Sequence, residues 1–146
     1  MSEQILFHIK GRYGVISDKQ EEPDVVDVVN VADYEYTSGI HYIRFEEIME
    51  GTEGITETYV RVFPNKVELI RSGAVKSKMT FEEGKVNESV YYIPEGQLQM
   101  GVDTSALSVS EEEDGLHIHV HYSTVMNYEP VTDCDLIMIA EKKKQK

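Results

Sequence analysis

The chain has 146 residues, 40% of them hydrophobic, with 14 basic and 27 acidic side chains and a formal net charge of −13. This length fits one domain, and this apolar content builds a core, which sets the chain apart from disordered sequences. The terminal KKKQK holds four lysines, so residues 1–141 carry −17, and a body this acidic repels nucleic acid and anionic lipid alike.

No run approaches the roughly 18 apolar residues of a membrane span. The opening MSEQILFHIK shows no basic segment followed by an apolar stretch and a cleavage site, so no secretory signal is read there. Cys134 is the single cysteine, which rules out an internal disulfide. Together these features set the expectation of a cytoplasmic protein. Residues 1–146 read as one domain, with 142–146 as a flexible basic tail.

From Ile5 to Ala140 the chain alternates apolar and polar residues in runs separated by turn signals. Period-two alternation places every second side chain on one face of a strand. In chain order the expected strands are about 4–17, 24–37, 40–49, 55–63, 66–71, 75–82, 86–93, 97–109, 115–127 and 131–141. Pro23, Pro64, Pro94 and Pro130 fall where strands should stop. No helical period of useful length is present; residues 45–50 make one turn at most. Short links such as Thr37-Ser38-Gly39 and Glu83-Gly84 join neighbours as hairpins. The expected architecture is all-β: a single up-and-down antiparallel barrel of 8–10 strands, since closure removes open edges.

Amphipathy proposes registers, because a slip by one residue exchanges the faces. For strands 40–49 and 55–63, pairing Phe45 with Val60 and Ile43 with Val62 gathers the aliphatics. Tyr42, Arg44, Glu46, Tyr59 and Arg61 then share the other face, read as a solvated surface with cross-strand ion pairs. For strands 66–71 and 75–82, Val67 faces Met79, Leu69 faces Ser77 and Glu68 faces Lys78. That register leaves Arg71 on the apolar side, opposite Val75.

The run Arg71-Ser72-Gly73-Ala74-Val75-Lys76, continuing Ser77-Lys78-Met79-Thr80-Phe81, resembles the YwiB-like family, small uncharacterised bacterial proteins with a calycin-type β-barrel. Ile5-Leu6-Phe7-His8-Ile9-Lys10 is similar to that family's opening strand, and Phe45-Glu46-Glu47 before a glycine-containing turn to its third. The resemblance implies a lipocalin-like or fatty-acid-binding-protein-like barrel, with no established activity or ligand. The histidine run at 117–121 is not associated with the family.

Three constellations are candidates for chemistry. His117, His119 and His121 share a strand face at about 6.7 Å spacing, so His117 and His119 are able to converge on one zinc ion. A third ligand would have to come from elsewhere, with His8, Cys134, Asp133 and Asp135 as candidates. Polar residues on a solvated face are the preferred reading, and no metal or other cofactor is expected. Arg71 is the second: a charge on an apolar face needs a pair or a ligand, and a guanidinium at a lumen mouth suits a carboxylate or phosphate. A structural pair with a local carboxylate is its plainer explanation. The third is the apolar face itself, including Phe45, Met79, Met100 and Tyr122, which with Arg71 make the candidate ligand-binding set.

No G-x-S-x-G and no phosphate-cradling loop is present, and Cys134 sits in an apolar strand pattern, so no enzyme is expected. The functional expectation is a non-enzymatic barrel that binds a small amphipathic or anionic ligand. Its alternative is a protein-interaction module acting through outer sheet faces or by homodimerisation. No nucleic-acid or membrane partner is expected.

Overall fold

The structure is a computed structural model that describes residues 3–16, 22, 24–48, 53–73, 76–93 and 95–141. Ten strands follow in chain order: β1 (Glu3–Val15), β2 (Asp24–Thr37), β3 (Ile40–Glu47), β4 (Thr56–Phe63), β5 (Lys66–Gly73), β6 (Lys76–Phe81), β7 (Lys85–Ile93), β8 (Gly96–Glu112), β9 (Gly115–Met126) and β10 (Glu129–Glu141). Each pairs antiparallel with its neighbour, and β1 closes on β10, so the meander is a closed barrel. Among the described residues no helix is long and apolar enough to cross a membrane.

The expected strands match closely, and the turns explain where they end. Ser38 and Gly39 have φ of 55° and 81°, and Asn127 and Tyr128 have 52° and 66°. Positive φ at both central residues matches the right-handed twist of flanking strands and makes a tight hairpin. Pro64 lies in the turn after β4, and Pro130 lies next to an irregularity in the β9–β10 ladder, where a missing donor is tolerated. Pro23, Pro94 and residues 49–50 of the possible helical turn lie outside the described residues, while Phe45–Glu47 is strand.

Two registers differ from the sequence expectation, each by two residues. Ile43 pairs with Val60 and Phe45 with Thr58. Leu69 pairs with Met79, Glu68 with Thr80 and Arg71 with Ser77. A two-residue slip leaves every side chain on its face, so apolar matching alone cannot choose between the registers. Lys78 still reaches Glu68, diagonally, at 3.6 Å. Residue 75, the expected partner of Arg71, lies outside the described residues.

Inward residues from all ten strands fill the middle of the barrel, with β7 supplying buried Ser89 and Tyr91 packed against the core. Phe7, Val60, Val62, Val67, Phe81, Val102 and Val120 are fully buried. Phe7 packs on Phe45 at 5.3 Å between ring centroids, and Phe81 on Tyr122 at 4.8 Å. Burying one such side chain stabilises by about 1.5–3 kcal/mol, so this layer accounts for much of the fold's cohesion. A bulge between Thr104 and Ala106 shifts β8 by one residue. It switches the inward set from Val102 and Thr104 to Leu107 and Val109, which pack against the core.

Candidate functional site

The packed middle leaves two polar ends. At one end β1 and β2 bring Glu3 and Tyr34 beside His41 of β3 and Glu111 of β8. The Tyr34 hydroxyl and His41 Nδ1 share a 2.7 Å hydrogen bond, and His41 Nε2 lies 3.6 Å from Glu111. These residues with Ile5, Leu116 and Ala140 line a pocket of about 100 Å³, enough for waters but small for an organic ligand. Burial lowers the His41 pKa, and the Glu111 charge partly opposes that shift.

Arg71 stands at the other end. Strand parity turns it inward with Val67 and Leu69, as its register with Ser77 and Thr58 requires. Its side chain is 20% exposed, and its Nε donates to Glu47 Oε1 over a long 3.4 Å. Glu47 projects from β3 two residues beyond Phe45. Its Oε1 also accepts a 2.5 Å hydrogen bond from the Thr58 hydroxyl of β4. Among the described residues Glu47 is the one carboxylate in ion-pair range of Arg71, which leaves most of a five-donor fork uncommitted to carboxylate.

Two tyrosines, Tyr13 and Tyr91, lie near the guanidinium. Burial raises the pKa values of Tyr13 and Tyr91, and the nearby Arg71 charge pulls both partly back. The Tyr13 ring folds onto Gly11, where a Cβ would sit 2.7 Å from the phenol oxygen; glycine is thus the residue that admits this ring. Tyr91 donates to Met79 Sδ at 3.1 Å. Ser77, opposite both Arg71 and Tyr91, is 4% exposed, and its hydroxyl has no hydrogen-bond partner among the described residues. A buried hydroxyl without a partner costs about 1–3 kcal/mol.

Of the sequence-predicted set, Arg71, Met79 and Tyr122 meet at this end. Phe45 lies one layer deeper, 2% exposed, and forms its floor with Phe7. Met100 on β8 is half-buried and faces inward across from Ser89. Glu47, Ser77, Tyr91 and Thr58 were not picked out from the sequence. Parity held the signal for Glu47, since Phe45 inward requires Glu47 inward; nothing local marked Ser77. Cys134 is also inward and 3% exposed. Burial pushes its thiol pKa up, although hydrogen bonds with Thr132 and Tyr122 lower it in part.

The histidine row lies on the outer face. His117 Nε2 donates to Asp114 at 2.8 Å, His119 to Asp135 at 2.7 Å and His121 to Asp133 at 2.8 Å. His8, weighed as a third ligand, pairs with Glu141 at 2.8 Å, and Cys134 faces the interior. Among the described residues no three His, Cys, Asp or Glu side chains come together to hold a metal ion. On the outer face of β3 and β4, Arg44 pairs with Glu57 at 2.6 Å, Asp33 at 3.5 Å and Glu46 at 3.8 Å. Arg61 pairs with Glu68 at 3.4 Å. Of these, Asp33, Arg44 and Arg61 line an open groove of about 660 Å³ with Tyr42, Tyr59 and Ile70.

A family model described as a domain of unknown function, DUF1934, matches residues 9–138. The chain belongs to the DUF1934 family. The match runs from within β1 to within β10, so the DUF1934 domain is the barrel itself. The crystal structure of the ywiB protein from Bacillus subtilis is similar in fold, with a TM-score of 0.76. The similarity covers 97% of this chain and 94% of that one at 19% sequence identity. No curated protein matches.

Proposed function

We propose that this DUF1934 barrel is a non-enzymatic, cytoplasmic binding protein for a small amphipathic carboxylate held at the Arg71 end. One observation carries the reading: a partly buried guanidinium that, among the described residues, makes a single long ion pair, beside a buried Ser77 hydroxyl that has no partner among them. A ligand carboxylate would take the guanidinium donors that make no ion pair among the described residues and a hydrogen bond from Ser77, while its apolar part lies against Met79 and Tyr122. Phe7, Phe45 and Phe81 fill the layer below, so the ligand is short rather than a long chain threading the barrel. Among the described residues this end presents no activated nucleophile, which favours binding over catalysis. The pKa of Cys134, the thiol at this end, is raised by burial, and a protonated thiol is a poor nucleophile.

The test is a titration with octanoate, read by NMR of the methionine methyls and arginine side chains. Perturbations centred on Met79 and Arg71, with binding weakened at least tenfold in Arg71→Gln, are the expected result. Perturbations confined to the outer faces, or equal affinity in Arg71→Gln, would overturn the reading.

A further inference from the structure

The barrel leaves part of β2 unfinished. β2 pairs with β1 from Asp24 to Tyr34, but with β3 only from Asp33 to Thr37. Over residues 24–32 its second edge therefore meets no strand among the described residues. Edge strands usually block further pairing with a lysine, a proline or a bulge. Here the ladder with β1 runs without a register shift, and residues 24–32 contain neither lysine nor proline. The stretch reads Asp-Val-Val-Asp-Val-Val-Asn-Val-Ala. Its five valines, Val25, Val26, Val28, Val29 and Val31, are 69%, 36%, 40%, 52% and 63% exposed, so the outer face is open and the inner face is open at Val26 and Val28.

We propose that residues 24–32 add antiparallel to the same edge of a second copy of this chain, about a twofold axis at Val28. One sheet then runs across two barrels, by the strand addition that open edges favour. The inference is independent of the ligand reading, because it uses only the outer edge of β2.

Length, side chains and charge each favour a second copy as the occupant. Pairing centred on Val28 sets Asp24 opposite Ala32. It thus uses the whole free edge and stops where β3 begins to pair at Asp33. The same register keeps inner faces together and outer faces together, as an antiparallel ladder requires. It places Val25 opposite Val31, Val26 opposite Asn30 and Asp27 opposite Val29, so no acid meets an acid. Charge would oppose contact between two acidic bodies elsewhere on the surface. Here Lys10 stands across from Asp27 and Arg12 across from Val25, so two bases on β1 offset Asp24 and Asp27. Where β2 leaves β3, Gln4, Val31, Asp33, Arg44, Phe45 and Glu46 line an open wedge of about 350 Å³. That wedge receives the end of the added strand.

The test is sedimentation velocity on the full chain over a wide concentration range, with variants that read the register. The unaltered chain is expected to form a dimer. Val29→Asp sets an acid against Asp27 twice by symmetry and should weaken the dimer about tenfold or more, whereas Val29→Lys should keep or tighten it. Val28→Cys brings two cysteines to the twofold axis, about 4.5–5.5 Å apart between Cα atoms, within disulfide range. Oxidation should therefore link the Val28→Cys dimer covalently but not Val26→Cys, whose twins sit about 13 Å apart along the strands. The substituted valines are exposed, so the barrel should fold in each variant. A chain that stays monomeric throughout, a dimer indifferent to Val29→Asp, or equal cross-linking at positions 26 and 28 would each overturn the proposal.

Discussion

Ser77 carries a cost that folding alone does not explain. Its hydroxyl is buried without a partner among the described residues, whereas the neighbouring Ser89 hydroxyl donates to the Lys78 carbonyl. Ser77→Ala should therefore stabilise the chain by about 1 kcal/mol or somewhat more in urea denaturation, while weakening octanoate. A stabilising change that costs binding separates a site from a packing flaw; if Ser77→Ala destabilises, the hydroxyl has a structural partner. His41 makes a different prediction at the opposite end. Burial holds its folded pKa below the ordinary 6.5, so between those two values the unfolded chain binds more protons than the folded one. Stability contributed by neutral His41 is full above about pH 6.5 and falls as pH drops toward the folded pKa. His41→Gln should flatten that part of the Tm-versus-pH curve; an unchanged slope would assign it to other groups.

Strands and turns were the most legible level, because period-two alternation and turn residues act over a few neighbours. The expected bounds of β2 coincide with the observed ones, and most others agree within two residues. Register was less legible, since the two-residue slips at β3–β4 and β5–β6 preserve every face and only tertiary closure selects among them. The site was legible in part for the same reason. Arg71 stood out as a charge on an apolar face, but its partner Glu47 lies two strands away. The β9–β10 turn shows what sequence signals understate. Tyr128 holds φ of 66° while fully exposed, a conformation that costs a side chain about 1–2 kcal/mol and glycine little. Tyr128→Gly loses no burial and should raise stability by about 0.5–1 kcal/mol, read as a shift in the urea midpoint with unchanged slope. A loss of stability would mean that the ring makes contacts in solution.

The whole barrel is closed but not uniformly tied. β8, β9, β10 and β1 are 17, 12, 13 and 13 residues long and pair over most of their lengths. By contrast β6 pairs with β7 only at Lys76, Ser77 and Lys78, and β2 with β3 over five residues. Beyond Lys78 the β6–β7 seam is bridged by side chains: Ser89 donates to the Lys78 carbonyl at 2.5 Å and Asn87 to the Thr80 carbonyl at 3.5 Å. Backbone amides at such seams open with less free energy than those in long ladders. The Arg71 end borders the β6–β7 seam through Ser77 and Tyr91, and the proposed dimer edge borders the β2–β3 seam. A fold that concentrates cohesion in β8–β9–β10–β1 thus leaves its two candidate binding regions on the more readily opened half. Native-state hydrogen exchange should show amides of β6, β7 and the β2–β3 junction exchanging by sub-global opening, well before those of β9 and β10. Octanoate should protect the β6–β7 amides selectively, and raising protein concentration should protect residues 24–32 selectively. Uniform exchange through global unfolding alone would show that the two weak seams do not act as separate elements, and would remove this link between barrel closure and binding.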